Sequence, residues 1–255
     1  MKPLILITND DGIAARGLQT LKEVAMEFGD VVMMAPEDNT SGQSHSITAI
    51  RPLRVREIKQ GDTVGVYACD GTPVDCVKLA TEHFCPRRPD LVLSGINHGS
   101  NSSINVLYSG TMGAVIEASA LGMNAIGFSL LNHNPEADFE PSRPIVRHII
   151  DYALQHGLPQ NVSLNVNIPR LEADQIRGIR ICHEAQAQWI NSFAKRIDPQ
   201  GRPYWWLTGK FVNNDTSEDS DEWALAHGYV SVVPISADFT HYPSLESSTL
   251  NALTH

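Results

Sequence analysis

Two adjacent carboxylates stand in Asn9-Asp10-Asp11-Gly12, directly after the apolar run Leu4-Ile5-Leu6-Ile7. Carboxylates this close repel each other and are costly to leave unpaired at the mouth of a site. A divalent cation resolves that repulsion. Ser41 follows a second apolar run and Asn97 a third, in Ser94-Gly95-Ile96-Asn97. Asp10, Asp11, Ser41 and Asn97 form an all-oxygen set, which suits Mg²⁺, Mn²⁺ or Ca²⁺ better than a zinc centre of His and Cys. The plainer alternative makes Asp10 and Asp11 turn and cap residues before a helix. Downstream, Tyr108-Ser109-Gly110-Thr111-Met112-Gly113 runs into an apolar helical stretch. Free backbone N–H groups at such a helix start bind anions. The Ser109 and Thr111 hydroxyls add donors, and Asn101 is one more. A hard cation beside an anion-binding helix end suits phosphate-ester hydrolysis. An N-cap alone is the alternative for Ser109. His45, His98 and His241 lie in polar segments near these loops. His45, His241 and Asp238 are candidates for a general acid. No Gly-x-Ser-x-Gly elbow supports a serine nucleophile.

Positioning these groups takes a layered fold. Leu4–Ile7, Val31–Ala35, Leu91–Leu93 and Ala125–Leu130 are continuous apolar runs that end in turn-forming residues. Such runs suit strands buried on both faces. Helical patterns fall between them at Gly17–Phe28, Pro73–His83, Gly113–Leu121 and Ile145–Gln155, with Thr72 as N-cap and Pro73 at the first helical position. Alternating strands and helices imply an α/β fold with a doubly wound, mostly parallel, Rossmann-like sheet. Ligands then bind beyond the carboxyl ends of the strands. A dinucleotide fold would place a glycine-rich cradle after the first strand, where this chain has two acids.

Residues 46–70 interrupt the alternation as a β-hairpin excursion. Later, Ser163–Ile168, Gly178–Ile181 and Tyr229–Val233 read as strands, and 245–253 as a terminal helix. Residues 186–212 hold Trp189, Tyr204, Trp205 and Trp206 around Asp198-Pro199-Gln200-Gly201, which reads as a long hairpin. The division is a catalytic domain over 1–185, then a hairpin arm, a last core strand and a C-terminal segment over 186–255. Asp215–Glu222 reads as a solvated loop.

At 255 residues the chain is long enough to bury a sizeable core. Its net charge of −10 argues against DNA as the main partner. No apolar run approaches a bilayer's width. The N-terminus has no signal-peptide pattern, and Cys69, Cys76, Cys85 and Cys182 have no CxxC spacing. These features imply reduced thiols in a soluble cytoplasmic protein.

Together the motifs resemble the SurE family, the survival-protein-E nucleotidases. Those that carry the resemblance are Ile7-Thr8-Asn9-Asp10-Asp11-Gly12, Ala35-Pro36 followed by Ser41, His45-Ser46-Ile47-Thr48, Gly71-Thr72-Pro73 with Asp75-Cys76-Val77, Ser94-Gly95-Ile96-Asn97 with Gly99 and Asn101, Tyr108-Ser109-Gly110-Thr111, Leu164-Asn165-Val166-Asn167-Ile168-Pro169 and Gly228-Tyr229-Val230-Ser231. They occur in family order over about residues 4–240. The resemblance implies a metal-dependent phosphatase that converts nucleoside 5′- and 3′-monophosphates to nucleoside and phosphate, with short-chain polyphosphate as a further substrate. It puts the metal ligands on Asp10, Asp11, Ser41 and Asn97, and catalytic residues on Asp10, Asn9, Asn101 and Ser109. Phosphate then meets Asn101, Ser109, Gly110 and Thr111. One divalent cation per subunit is implied, Mg²⁺ or Mn²⁺ before Co²⁺, Ni²⁺, Zn²⁺ or Ca²⁺. The implied assembly is a homodimer or homotetramer joined by the 186–212 hairpin and the C-terminal segment. Two other readings of the same pocket are a non-catalytic nucleotide or metal sensor and a metal-dependent nucleoside N-ribosyl hydrolase. Nucleoside monophosphates are the expected partners, and neither DNA nor a membrane is expected.

Overall fold

The computed structural model describes residues 2–58 and 63–245. The helix expected over 245–253 lies outside them, apart from Leu245. Nine strands form one sheet in the order β3-β4-β2-β1-β5-β6-β7-β11-β8. They are β1 (Leu4–Thr8), β2 (Asp30–Pro36), β3 (Val55–Glu57), β4 (Gly65–Cys69), β5 (Leu91–His98), β6 (Ala125–Leu130), β7 (Val162–Ile168), β8 (Ile179–Ile181) and β11 (Val230–Ser236). The stretch from β4 through β7 is parallel. β3 and β11 run antiparallel to their neighbours β4 and β7. The doubly wound, mostly parallel sheet is thus the observed architecture. The excursion over 46–70 is not separate from it. Its two strands pair with each other, and β4 adds to β2 as a parallel strand.

Burial on both faces explains the continuous apolar runs, since every residue of β1 and β6 is buried. One face is covered by α1 (Arg16–Ala25) and α4 (Arg143–His156), whose Leu18, Leu21, Val146 and Ile150 pack on Ile5, Ile7 and Leu93. The other is covered by α2 (Pro73–Leu79) and α3 (Gly110–Ala120), which bring Val77, Met112, Val115 and Ala118 against Leu4, Leu6 and Val92. Thr72 does cap α2. Its hydroxyl accepts from Asp75 N at 3.2 Å while Asp75 Oδ2 accepts from Thr72 N at 2.9 Å, a complete capping box. No described helix is long and apolar enough to cross a membrane.

β9 (Ala187–Ile197) and β10 (Pro203–Asn213) form a sheet of their own. Their turn is held by Asp198, whose carboxylate accepts from Gln200 N and Arg202 N, each at 2.9 Å. This hairpin leaves Phe193, Trp205, Trp206 and Leu207 more than half exposed. Trp189 Nε1 donates to Asn105 Oδ1 at 2.8 Å and ties its base to the main body.

The acidic stretch 215–222 departs from a solvated loop. Asp221 opens α5 (Asp221–Ala226) and is fully buried. Its carboxylate accepts from the backbone N–H of Ser103 (2.7 Å), Ala185 (3.0 Å) and Glu222 (2.8 Å). Charge density alone suggested solvent. Three convergent backbone donors make burial tolerable.

Candidate active site

The strands stay parallel, but the order in which they are added reverses between β1 and β5: β2 and β4 lie on one side of β1, while β6 and β7 lie beyond β5. That reversal leaves a crevice outside the carboxyl ends of β1 and β5. Asp10 and Asp11 follow β1, and Asn97 lies at the end of β5.

Asp10 is buried at the start of α3. Its Oδ1 accepts from the Thr111 hydroxyl at 2.6 Å and its Oδ2 from Gly110 N at 3.1 Å. Both donors are neutral. Burial pushes the Asp10 carboxyl up, Thr111 opposes that, and the neighbouring Asp11 charge adds to it. A Cβ on Gly110 would sit 2.8 Å from Asp10 Cβ, so glycine is what lets the carboxylate reach the helix end. Met112 N, the next donor, is capped by Ser109 Oγ at 3.0 Å. Helix α3 therefore begins three residues before the expected Gly113, because Asp10 and Ser109 satisfy its first turn.

That finding redistributes the expected phosphate donors. Gly110 N–H and the Thr111 hydroxyl point at Asp10, so their effect on an anion runs through Asp10. Ser109 accepts a hydrogen bond and still has its hydroxyl proton to give. Asn9 is fully buried and turned onto its own loop, with Nδ2 donating to Gly12 O at 3.1 Å and Oδ1 accepting from Gly12 N at 3.3 Å. It holds the shape of the acidic turn.

Asp11 faces β5. Its Oδ2 accepts from the backbone N–H of His98 at 3.2 Å, and His98 Nδ1 lies 3.1 Å from the same oxygen. His98 carried no assignment in the sequence, and its proximity to Asp11 depends on the β1–β5 pairing. Asn97 is buried, with Nδ2 donating to Gly99 O at 2.9 Å. A register shift between Ser94 and Asn97 re-aims the end of β5. Gly95 makes it possible: its φ is +126°, and a Cβ there would lie 2.3 Å from Phe128 O. Ser41 is exposed. Its neighbour Thr40 donates through N to Asp10 O at 2.8 Å, which stitches the loop after β2 to the acidic turn. The topology thus brings Asp10, Asp11 and Asn97 to the same end of the sheet, and the Thr40 bond ties the loop that carries Ser41 to the acidic turn. Among the described residues no three His, Cys, Asp or Glu side chains cluster as a metal group. The set available is two carboxylates with amide and hydroxyl oxygens. This is hard-ion chemistry, and the buried Asp10 beside Asp11 is short of positive charge.

A cavity of about 580 Å³ opens beside Ser109, lined mostly by apolar groups that include Val106, Leu107, Ile116, Val233 and Phe239. His45 and His183 also line it. His45 Nε2 is 2.9 Å from Glu117 Oε2, and Lys78 Nζ donates to Glu117 Oε1 at 2.8 Å. Burial works against the Glu117 charge, yet Lys78 and His45 hold its pKa below the usual value. The other general-acid candidates sit at the surface. Asp238 accepts from the Tyr242 hydroxyl and from Thr240 N at 2.9 Å, and His241 is paired with Ser244.

The chain matches the family model "Survival protein SurE" over residues 5–191. The 5′-nucleotidase SurE of Christiangramia forsetii is 54% identical over 255 residues, 98% of each chain. That of Flavobacterium psychrophilum is 51% identical over 247 residues, 96% of each chain. The crystal structure of the SurE protein from Aquifex aeolicus superposes with a TM-score of 0.85 at 36% identity, covering 98% of this chain and 100% of that one.

The Thr111–Asp10 bond generates a direct test. Thr111→Val keeps the shape and removes the donor. It should lower the unfolding free energy of metal-free protein by about 1–3 kcal/mol, the cost of stranding a buried acceptor. A urea melt reads this, and an unchanged midpoint would mean that Asp10 does not depend on the hydroxyl.

Proposed function

The chain belongs to the SurE family, and on that premise we propose that it is a divalent-metal-dependent phosphatase hydrolysing nucleoside 5′- and 3′-monophosphates to nucleoside and phosphate. Short-chain polyphosphate is a further substrate of this reading. The observation that carries it is the pair Asp10-Asp11 in the crevice between β1 and β5, Asp10 bonded to the start of α3 beside Ser109 and Asp11 to His98.

Asp10, Asp11, Asn97 and Ser41 are the groups to hold the cation, Mg²⁺ or Mn²⁺ by their hard oxygen character. When bound, the ion supplies Lewis acidity toward a phosphoryl oxygen and makes water a better nucleophile. The protein does the rest. Gly110 and Thr111 fix both Asp10 oxygens. Ser109 offers its hydroxyl proton to a phosphoryl oxygen, where donors act most strongly on charge that develops in the transition state. Asn101, at the far end of the 103–108 turn that leads to Ser109, offers its carboxamide. The apolar cavity takes the nucleoside and shields it from water. His45, held by Glu117, is the best-placed candidate to protonate the leaving oxygen because it shares that cavity. A sensor or an N-ribosyl hydrolase gains no support from the relatives, which are named as nucleotidases.

The domain reading follows the same lines: a catalytic body over 1–185 and an arm over 186–255 that returns β11 to the sheet. The arm's exposed aromatic residues suit a second copy of this chain, in a dimer or tetramer. Phe193→Asp with Trp206→Asp should release a particle near 28.0 kDa in light scattering. An assembly that stays intact contradicts this use of the arm.

Phosphate release from nucleoside 5′- and 3′-monophosphates, assayed with Mg²⁺ and Mn²⁺, tests the activity. Release that requires the metal is expected, and free ribose instead of phosphate would contradict it. In the same assay Ser109→Ala should lower kcat/KM by a factor on the order of 10²–10³. It should also cost about 1 kcal/mol of stability, because Ser109 caps α3. Wild-type turnover with a lowered melting point would reduce Ser109 to a cap.

A further inference from the structure

The motif Leu164–Pro169 contains two asparagines that the site so far leaves without a task. Asn165 and Asn167 on β7 are almost fully buried. Asparagine is poorly suited to strands, and a buried carboxamide left unpaired costs more than it contributes. Here both are paired, largely to one residue. Asn167 Oδ1 accepts from Asn101 N at 2.8 Å, and Asn165 Nδ2 donates to Asn101 O at 2.8 Å. The two side chains are joined to each other, Asn167 Nδ2 donating to Asn165 Oδ1 at 3.0 Å. Asn167 Oδ1 also accepts from the Ser100 hydroxyl at 3.3 Å. Beside Asn167 in the sheet register stands Ser129, whose Oγ accepts from Asn101 Nδ2 at 2.7 Å.

Asn101 lies in the irregular segment between β5 and the 103–108 turn. Both of its backbone polar groups and one side-chain N–H are therefore committed to β6 and β7. Its carboxamide Oδ1 and second N–H are left to face outward chemistry. We propose that Asn165 and Asn167 are positioning residues for phosphate-ester hydrolysis, clamping the backbone of Asn101 so that its carboxamide meets the phosphoryl group in one orientation. The inference rests on the phosphatase reading and on Asn101 as one of its site residues. It adds that two strand residues with no access to substrate control the rate through Asn101. A displacement of about 1 Å at a positioning group can cost on the order of 10²-fold in rate.

A double-mutant cycle with adenosine 5′-monophosphate and Mn²⁺ tests it. Asn101→Ala should lower kcat at least about tenfold. Asn167→Ala should lower kcat about 10–100-fold with KM changed less than about threefold. In the Asn101→Ala background, Asn167→Ala should cost less than about twofold more, since the group it positions is gone. Ser163→Ala, equally buried on the same strand but not bonded to Asn101, should leave kcat at the wild-type value. If Asn167→Ala does not fold, Asn165→Ala removes the other half of the clamp and carries the same cycle. Multiplicative losses in the double variant would overturn the inference while leaving the phosphatase reading intact. So would a fall in kcat for Asn167→Ala beside wild-type turnover for Asn101→Ala, or wild-type turnover for both. A wild-type protein that releases no phosphate overturns the reading itself.

Discussion

A buried carboxylate at the start of a helix organises this molecule. Taking Asp10 out of water costs on the order of several kcal/mol even after relaxation. Two neutral donors at the start of α3 recover part of that, and the positive end of the helix recovers more. The Asp11 charge next to it works in the opposite direction. Positive charge in the crevice, or a proton on Asp10, would offset what is left. In the proposed function a hard divalent cation held by Asp10 and Asp11 does so.

The rest of the site is arranged around that contact. Because Asp10 reaches Gly110 and Thr111, α3 starts early and Ser109 becomes its cap at the edge of the apolar cavity. Because Thr40 bonds to the Asp10 carbonyl, the loop that carries Ser41 is tied to the acidic turn. Because β5 bends at Gly95, His98 meets Asp11 and Asn97 turns inward. Each strand end supplies one part, and the central crevice of the sheet is where those parts can converge.

Much of this was legible in the sequence, for identifiable reasons. Strands buried on both faces give unbroken apolar runs, so β1, β2, β5 and β6 stood out. Thr72-Pro73 before an apolar helix marked the start of α2. Other features depended on contacts far apart in the chain. The start of α3 read as a set of free N–H groups for an anion because its satisfying partner, Asp10, is 100 residues away. Asp221 looked solvated because its donors, Ser103 and Ala185, are 118 and 36 residues distant. Asn165 and Asn167 alternate with apolar residues as a half-exposed strand would, whereas the Asn101 segment covers the face that carries them. The candidate ligands were readable because each closes an apolar run. The bonds of Gly110 and Thr111 to Asp10 were not.

Calorimetric titration of Mn²⁺ into metal-stripped protein tests the central claim most directly. The two-carboxylate crevice predicts one ion per chain. It also predicts that Asp11→Asn weakens binding by a factor on the order of ten or more, a tenfold change in Kd corresponding to about 1.4 kcal/mol. Wild-type protein that takes up no ion, or an Asp11→Asn variant that binds as tightly as wild type, would contradict the account.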